Sequence, residues 1–267
     1  MSEEIRSAFD SAADFFDSNP LSFWERIGKR TVHLAQIGYG GAVLDVGCGS
    51  GASVFPAAEA VGTAGRVVGV DLSEQLLALG RDKAAKQGIQ NLEFLCRDMT
   101  ALDYADQTFD AVVSVLSIFF VADMEAQIRK LWAMLKPGGV LAVTCWGANV
   151  LEPAMSAWSD IVQDERPDLL SEPSPGDRIS SSDELAAMLR NGGADEPIVV
   201  EEAGSHVLSS PNDWWSIVMG SGMRGVMDAM TVGEFERVKS RTLEWATRTE
   251  LATLELNVLY GRSTKPV

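Results

Sequence analysis

Between residues 42 and 146 the chain alternates short, nearly unbroken apolar runs with longer stretches whose apolar positions recur at helical spacing. The runs "AVLDVGC", "RVVGVDL", "NLEFLCRD", "FDAVVSVLS" and "VLAVTCW" read as strands, and "SVFPAAEAVG", "EQLLALGRDKAAKQG" and "DMEAQIRKLWAMLKPGG" as the helices between them. Ser73 stands where an N-cap belongs and Gly88 where a left-handed C-terminal cap belongs, while Pro137 and two glycines predict the end of the third helix. Strands this apolar lack the alternation of a half-wet sheet. They predict a parallel sheet covered by helices on both faces.

After Trp146 the rhythm changes. "LEPAMSAWSDIVQ" is amphipathic, "RPDLLSEPSPGDRIS" is a Pro/Ser-rich connection, and Ser181 to Glu184 has capping-box spacing before "LAAMLRNGG". "PIVVEEAGSHVL" predicts a sixth strand, a mainly helical stretch runs from Ser210 to about Glu250, and "LATLELNVLYGRS" predicts a closing strand. The long piece between those two strands reads as an insertion, since a structureless connection of that length would be unusual. The chain thus divides into an N-terminal helical flap at 1–40, a core at 41–147, and lid insertions with completion of the sheet at 148–267, all within one domain.

Composition narrows the function. With 267 residues, 46% of them hydrophobic, there is ample material for a large core. Lys and Arg number 22 against 38 Asp and Glu, a formal net charge of -16, and a surface this negative repels phosphate backbones and anionic lipid heads. Neither nucleic acid nor membrane is expected as a partner. The start, "MSEEIRSAFD", lacks the apolar core of a secretory signal, and the longest apolar stretch, "AVVSVLSIFFVA", is too short to span a bilayer. Three cysteines without CxxC spacing and only two histidines, His33 and His206, argue against a dedicated metal site and suit a reducing cytoplasm.

The chemistry concentrates in "VLDVGCGSG" at 43–51. A strand that ends in glycines and opens a helix lets a ligand approach the backbone, because no Cβ intervenes and the helix N-terminus offers free N–H groups. Gly47, Gly49 and Ala52 also fit the GxGxxA variant of the dinucleotide fingerprint, and Asp71 ends the second strand where an acidic residue takes both hydroxyls of a ribose. On these residues a nicotinamide dinucleotide and S-adenosylmethionine both remain open. Asp45 separates them: a carboxylate gains nothing beside a pyrophosphate but favours a ligand with an ammonium and a sulfonium. Asp98, in "CRDMT", follows the third strand at the same edge, from which it can accept a hydrogen bond from an adenine amino group with Met99 and Leu72 on the ring faces. Ser114, in the fourth strand, can meet the amino-acid end of the same ligand.

Taken in order, "VLDVGCGSG", "GVDLS", "CRDMT", "FDAVVSVLS" and "LKPGGVLAVTCW" resemble the class I S-adenosylmethionine-dependent methyltransferases, most closely the branch of ubiquinone/menaquinone C-methyltransferases and related small-molecule enzymes. The resemblance implies an α/β, Rossmann-like sheet of seven strands in the order 3-2-1-4-5-7-6, with strand 7 antiparallel, helices on both faces and a helical lid. It makes Asp45, Gly47, Cys48, Gly49 and Gly51 the cofactor loop, Asp71 the ribose ligand, and Leu72, Asp98 and Met99 the adenine shell. S-adenosyl-L-methionine is the implied cofactor and a small molecule the methyl acceptor, in a monomer or homodimer. Many relatives carry a His-His pair after the fourth strand. Phe119-Phe120 stands there in this chain, so a histidine base at that place is excluded.

Phe16, Trp24, Phe119, Trp146, Trp215 and Met219 are the candidates for an apolar acceptor wall. Met219, Met223 and Met227 recur every four positions, with Met230 three further on, and on one continuous helix they would form either a core stripe or a deformable substrate surface. Gly220, Gly222 and Gly225 argue against that continuity. The segment "AFDSAADFFDSNPLSFWERIGKRTV" resembles the family's flap or reads as a plain surface helix. No catalytic base is assigned: His33, His206, Tyr39 and Glu152 read as packed or surface groups, and Cys48 as a small residue in a tight loop. The expected function is methyl transfer to a small, apolar or aromatic metabolite, driven by positioning. An NAD-dependent oxidoreductase and a non-catalytic cofactor-binding protein are the competing readings.

Overall fold

The computed structural model describes residues 2–171 and 174–267. Its first half runs α1 (Ser2–Phe16), α2 (Phe23–Ala35), β1 (Ala42–Val46), α3 (Val54–Val61), β2 (Arg66–Asp71), α4 (Glu74–Gln87), β3 (Leu92–Cys96), β4 (Phe109–Val115), α5 (Met124–Met134) and β5 (Leu135–Trp146). The second half adds α6 (Ala154–Glu165), α7 (Ser182–Asn191), β6 (Ile198–Glu202), β7 (Ser205–Val207), α8 (Asp213–Met219), α9 (Arg224–Asp228), α10 (Val232–Arg248), β8 (Thr253–Glu255) and β9 (Val258–Thr264).

The main sheet has the order β3-β2-β1-β4-β5-β9-β6. Strands β1 to β5 pair in parallel, and β9 enters antiparallel between β5 and β6. This is the expected seven-stranded order, with β9 as strand 7. Successive side chains of a strand point to opposite faces, so Leu44, Val46, Val112 and Val143 pack with Ile128 and Leu131 of α5 and Leu185 of α7. On the other face Val43, Val67, Val113 and Ala142 pack with Val54 and Val61 of α3 and Leu77 of α4. Asp45 follows Val43 by two residues and therefore shares its face, towards α3.

Capping follows the sequence signals. The Ser73 hydroxyl accepts the Leu76 N–H at the start of α4, Gly88 ends that helix with φ +67°, and Ser181 with Glu184 closes a capping box at α7. Two expectations need correction. Pro137 and its glycines do not end α5, which stops at Met134; they lie inside β5, where the register with β4 shifts between Phe109 and Ala111. The sixth run breaks after Glu202 into β6 and β7, and the closing run breaks after Glu255 into β8 and β9, with β7 and β8 forming a separate antiparallel pair. Asn257 causes the second break, because its amide donates to the Ala148 carbonyl at 2.7 Å while its side-chain oxygen accepts the Gly204 N–H at 3.4 Å. Finally, the mainly helical stretch from Ser210 is broken within the methionine-bearing part, as its glycines suggest. α8 ends at Gly220, where a Cβ would stand 3.0 Å from Leu21 and from the Phe15 backbone, and α9 begins only at Arg224.

Candidate functional site

The loop after β1 is fastened to β2 by its own backbone: the N–H groups of Gly47 and Cys48 both donate to the Val70 carbonyl, at 2.8 and 3.0 Å. Gly47 has φ +70°, and Gly51, at φ +104°, faces the Phe55 ring, which a Cβ would meet at 2.6 Å. Neither position admits a side chain without local strain. Asp71 ends β2 and ties the loop from the other side, accepting the Gly49 N–H at 2.8 Å on one oxygen and the Ser73 N–H at 2.9 Å on the other. Burial pushes the Asp71 carboxyl up from its ordinary value, and the N–H groups of Ser73 and Gly49 pull it back. Asp98, past the end of β3, accepts both the N–H and the hydroxyl of Thr100, at 2.8 and 2.7 Å, and so caps the short turn Met99–Ala101.

Asp45 lies beneath this surface. It is 1% exposed, and neither carboxylate oxygen has a hydrogen-bond partner of good geometry. Burial pushes its carboxyl up to about 7, with the Ser53 hydroxyl pulling down and the Asp71 charge pushing further up. An orphaned buried carboxylate is costly unless a positive group offsets it.

Gly47, Cys48, Gly49, Asp71, Leu72, Asp98 and Met99 line one end of a cavity of about 1280 Å³. Phe16, Trp24, Phe119 and Trp146 line the same cavity, so two groups of residues far apart in the chain share one space. Asp45, Gly51 and Ser114 are not in its wall. Ser114 is fully buried and hydrogen-bonded at 2.8 Å to the hydroxyl of Ser117, which in turn donates to the Val46 carbonyl at 2.7 Å. Ser117 is the group of this pair that reaches the cavity. Trp215 and Met219 are also outside the wall: they sit one helical turn apart on α8, facing the core, with Trp215 edge-on to Phe235 of α10 at 5.6 Å. Ile217, on the opposite side of α8, lines the cavity instead.

Several lining residues were not legible as site residues. Leu116, Asn149 and Leu151 adopt left-handed φ of 52°, 59° and 63° and all three line the cavity. Such conformations are uncommon for residues other than glycine and cluster at functional sites. The N-terminal segment covers the glycine-loop end of the cavity: Phe9 and Phe16 of α1 line it, Phe16 stacks on Trp24 at 5.6 Å, and Phe9 meets Phe120 edge-on at 5.5 Å. Two carboxylates hold this segment down. Asp10 accepts from the Ser73 hydroxyl at 2.6 Å and the Gln75 N–H at 3.3 Å, and Asp17 accepts from the Ser50 hydroxyl at 2.5 Å and Lys83 at 3.0 Å. Among the described residues no group of three or more His, Cys, Asp or Glu could hold a metal ion, and no helix is long and apolar enough to cross a membrane.

Comparison with known proteins agrees with this geometry. A family model described as "Methyltransferase domain" matches residues 43–139. Over 142 residues, 53% of this chain, the sequence is 31% identical to aklanonic acid methyltransferase of Streptomyces sp. (strain C5), of which the match covers 64%. It is 30% identical over 155 residues to a ubiquinone/menaquinone biosynthesis C-methyltransferase of Klebsiella pneumoniae (strain 342), covering 58% of this chain and 61% of that one. Among solved structures, phosphoethanolamine N-methyltransferase 2 of Haemonchus contortus, in complex with phosphomonomethylethanolamine and S-adenosylhomocysteine, superposes with a TM-score of 0.56 at 16% identity, over 96% of this chain and 60% of that one. The chain spans less than two thirds of the length of each of these relatives. The residues matched by the methyltransferase-domain model, 43–139, contain β1 from Val43, the glycine loop and strands β2 to β4 of the seven-stranded sheet.

Proposed function

We propose that the protein transfers a methyl group from S-adenosylmethionine to a small acceptor with an apolar or aromatic body. The observation that carries this reading is the arrangement around the glycine loop: Asp71 and Asp98 in the cavity wall, and the unpartnered carboxylate of Asp45 behind it. Asp71 suits the ribose hydroxyls of either nucleotide, while the added negative charge of Asp45 suits a ligand with positive charge and opposes a pyrophosphate. Asp71 would hold the ribose, Leu72, Asp98 and Met99 the adenine, and Gly47 and Gly49 the backbone contacts of the amino-acid end. The residues present therefore fit the cofactor.

When bound, S-adenosylmethionine supplies a methyl on a positively charged sulfur, whose displacement leaves a neutral sulfide. The chain has no new anion to stabilise, so its contribution is to orient and to exclude water. The closed flap and the aromatic walls do both, and fixing two reactants at attack distance can supply about 7 to 11 kcal/mol in favourable cases. No histidine lines the cavity, and Phe119-Phe120 occupies the loop after β4. The chain's own residues thus favour an acceptor that needs no imidazole to remove a proton before transfer.

The test is calorimetry with S-adenosylhomocysteine and with NAD, followed by turnover of labelled S-adenosylmethionine over a panel of acceptors. Micromolar binding of the first and none of the second is expected. Binding of NAD alone would overturn the reading, and tight S-adenosylhomocysteine binding without turnover of any acceptor would favour a non-catalytic cofactor-binding protein.

A further inference from the structure

We propose that the chamber facing the cofactor end selects an apolar body that carries a basic nitrogen, and rejects acids. The inference rests on the functional reading above, in that the glycine-loop end of the cavity is taken by the cofactor. At about 1280 Å³ the cavity exceeds the roughly 300 to 1000 Å³ of a site for one drug-sized ligand, so a second molecule has room beside the first.

The walls of that second space are rings. Phe16 stacks on Trp24 at 5.6 Å with planes 13° apart, Trp24 meets Trp146 at 5.7 Å and 48°, and Phe119 meets Phe120 at 4.9 Å and 56°. Ring faces attract cations. Among the described residues, the ionisable groups of these walls, supplied by the turn after β5, by α6 and by the segment before α7, are Glu152, Asp160 and Asp177, carboxylates all. The two arginines that do line the cavity belong to its other end: Arg97 precedes Asp98, and Arg6 of α1 acts on Cys96 at the end of β3. The nearby guanidinium of Arg178 is committed to the carbonyls of Phe119, Val121 and Ala122, and that of Arg166 to Asp168 and Glu234.

An acid entering here meets three carboxylates in a chain of net charge -16 and, among the described residues, no free cation in that wall, whereas an ammonium meets opposite charge and ring faces together.

The test uses the full chain saturated with S-adenosylhomocysteine and three matched probes: 2-(1-naphthyl)ethylamine, 2-(1-naphthyl)ethanol and 1-naphthaleneacetate. At low salt, calorimetry should order them amine, alcohol, acid, with about tenfold or more between amine and acid. The double variant Asp160→Asn/Asp177→Asn, and separately Glu152→Gln, should narrow that gap and leave the alcohol unchanged. Acid binding as tightly as amine, a gap untouched by the variants, or no binding of any probe would each overturn the proposal. S-adenosylhomocysteine affinity, measured in the same proteins, reports on the cofactor reading alone.

Discussion

Gly47 and Ser117 compete for one position: a Cβ on Gly47 would lie 2.3 Å from the Ser117 Cβ and 2.6 Å from its hydroxyl oxygen. The contact exists because Leu116, in the left-handed region, turns the chain back after β4 so that Ser117 can donate to the Val46 carbonyl under the loop. The tip of β1 and the tip of β4 are thereby locked together at the floor of the cavity.

Gly47→Ala combines a positive φ, costing about 1 to 2 kcal/mol for a residue with a Cβ, with a steric overlap. We expect a loss of more than about 2 kcal/mol in chemical denaturation and at least a tenfold loss of S-adenosylhomocysteine affinity. Adding Ser117→Gly removes the overlapping Cβ but not the φ penalty, so the double variant should recover part of the stability. Additive losses in the double variant would show that the two residues do not share the space.

The same local logic explains what could be read from the chain beforehand. Parallel strands buried on both faces announce themselves as unbroken apolar runs, and Ser73, Gly88 and Ser181 act within one helical turn of their partners, so strands and caps were legible from the residues, whereas the sheet order followed only from the family resemblance. The flap latch was not, because Asp10 and Ser73 are separated by 63 positions and meet only in the tertiary fold. Ser117 was hidden because its role depends on a left-handed leucine that no spacing rule predicts. Trp215 and Met219 face the core on a seven-residue helix that ends at Gly220, and the spacing of the methionines alone does not say which face of so short a helix meets the sheet.

Asp71 holds two backbone N–H groups at once, so its loss acts on the loop as well as on a ribose. Asp71→Ala should lower S-adenosylhomocysteine affinity by about 10- to 100-fold, as the loss of one or two hydrogen bonds to a charged acceptor requires. Asp71→Asn keeps the shape but can accept on one oxygen only, and should fall between the two. Titration calorimetry of the three proteins checks the order, and unchanged affinity in the alanine variant would remove Asp71 from the site.

The flap is held by Asp10 on Ser73 and Gln75 and by Asp17 on Ser50 and Lys83. The Asp17–Lys83 pair is partly exposed, with side chains 36% and 25% accessible, and salt weakens it. Asp10→Asn/Asp17→Asn should therefore speed release of S-adenosylhomocysteine by severalfold to about tenfold in stopped-flow, with little change in the bimolecular rate. A release rate equal to that of the parent would mean that the flap does not gate the cavity.

The last prediction concerns Asp45 and carries a sign. In the unfolded chain its carboxyl ionises near 3.8, and in the folded protein burial raises this to about 7. Between those values the folded state retains a proton that the unfolded state has lost, so stability falls as pH rises through that window. Above about 7 the full cost is present, on the order of 4 kcal/mol. Asp45→Asn removes the titration: the variant should melt higher than the parent at pH 8, and the difference should shrink at pH 5, where about 2 kcal/mol of the cost remains. Cofactor binding runs the other way, because a ligand with net positive charge favours the ionised form. The ionised fraction of a group titrating at about 7 rises about tenfold from pH 6 to pH 8, and S-adenosylmethionine affinity should rise by up to that factor. In the asparagine variant the affinity should be lower and flat across the same range. A parent affinity that does not change with pH would separate the buried carboxylate from the ligand and leave it a purely structural charge.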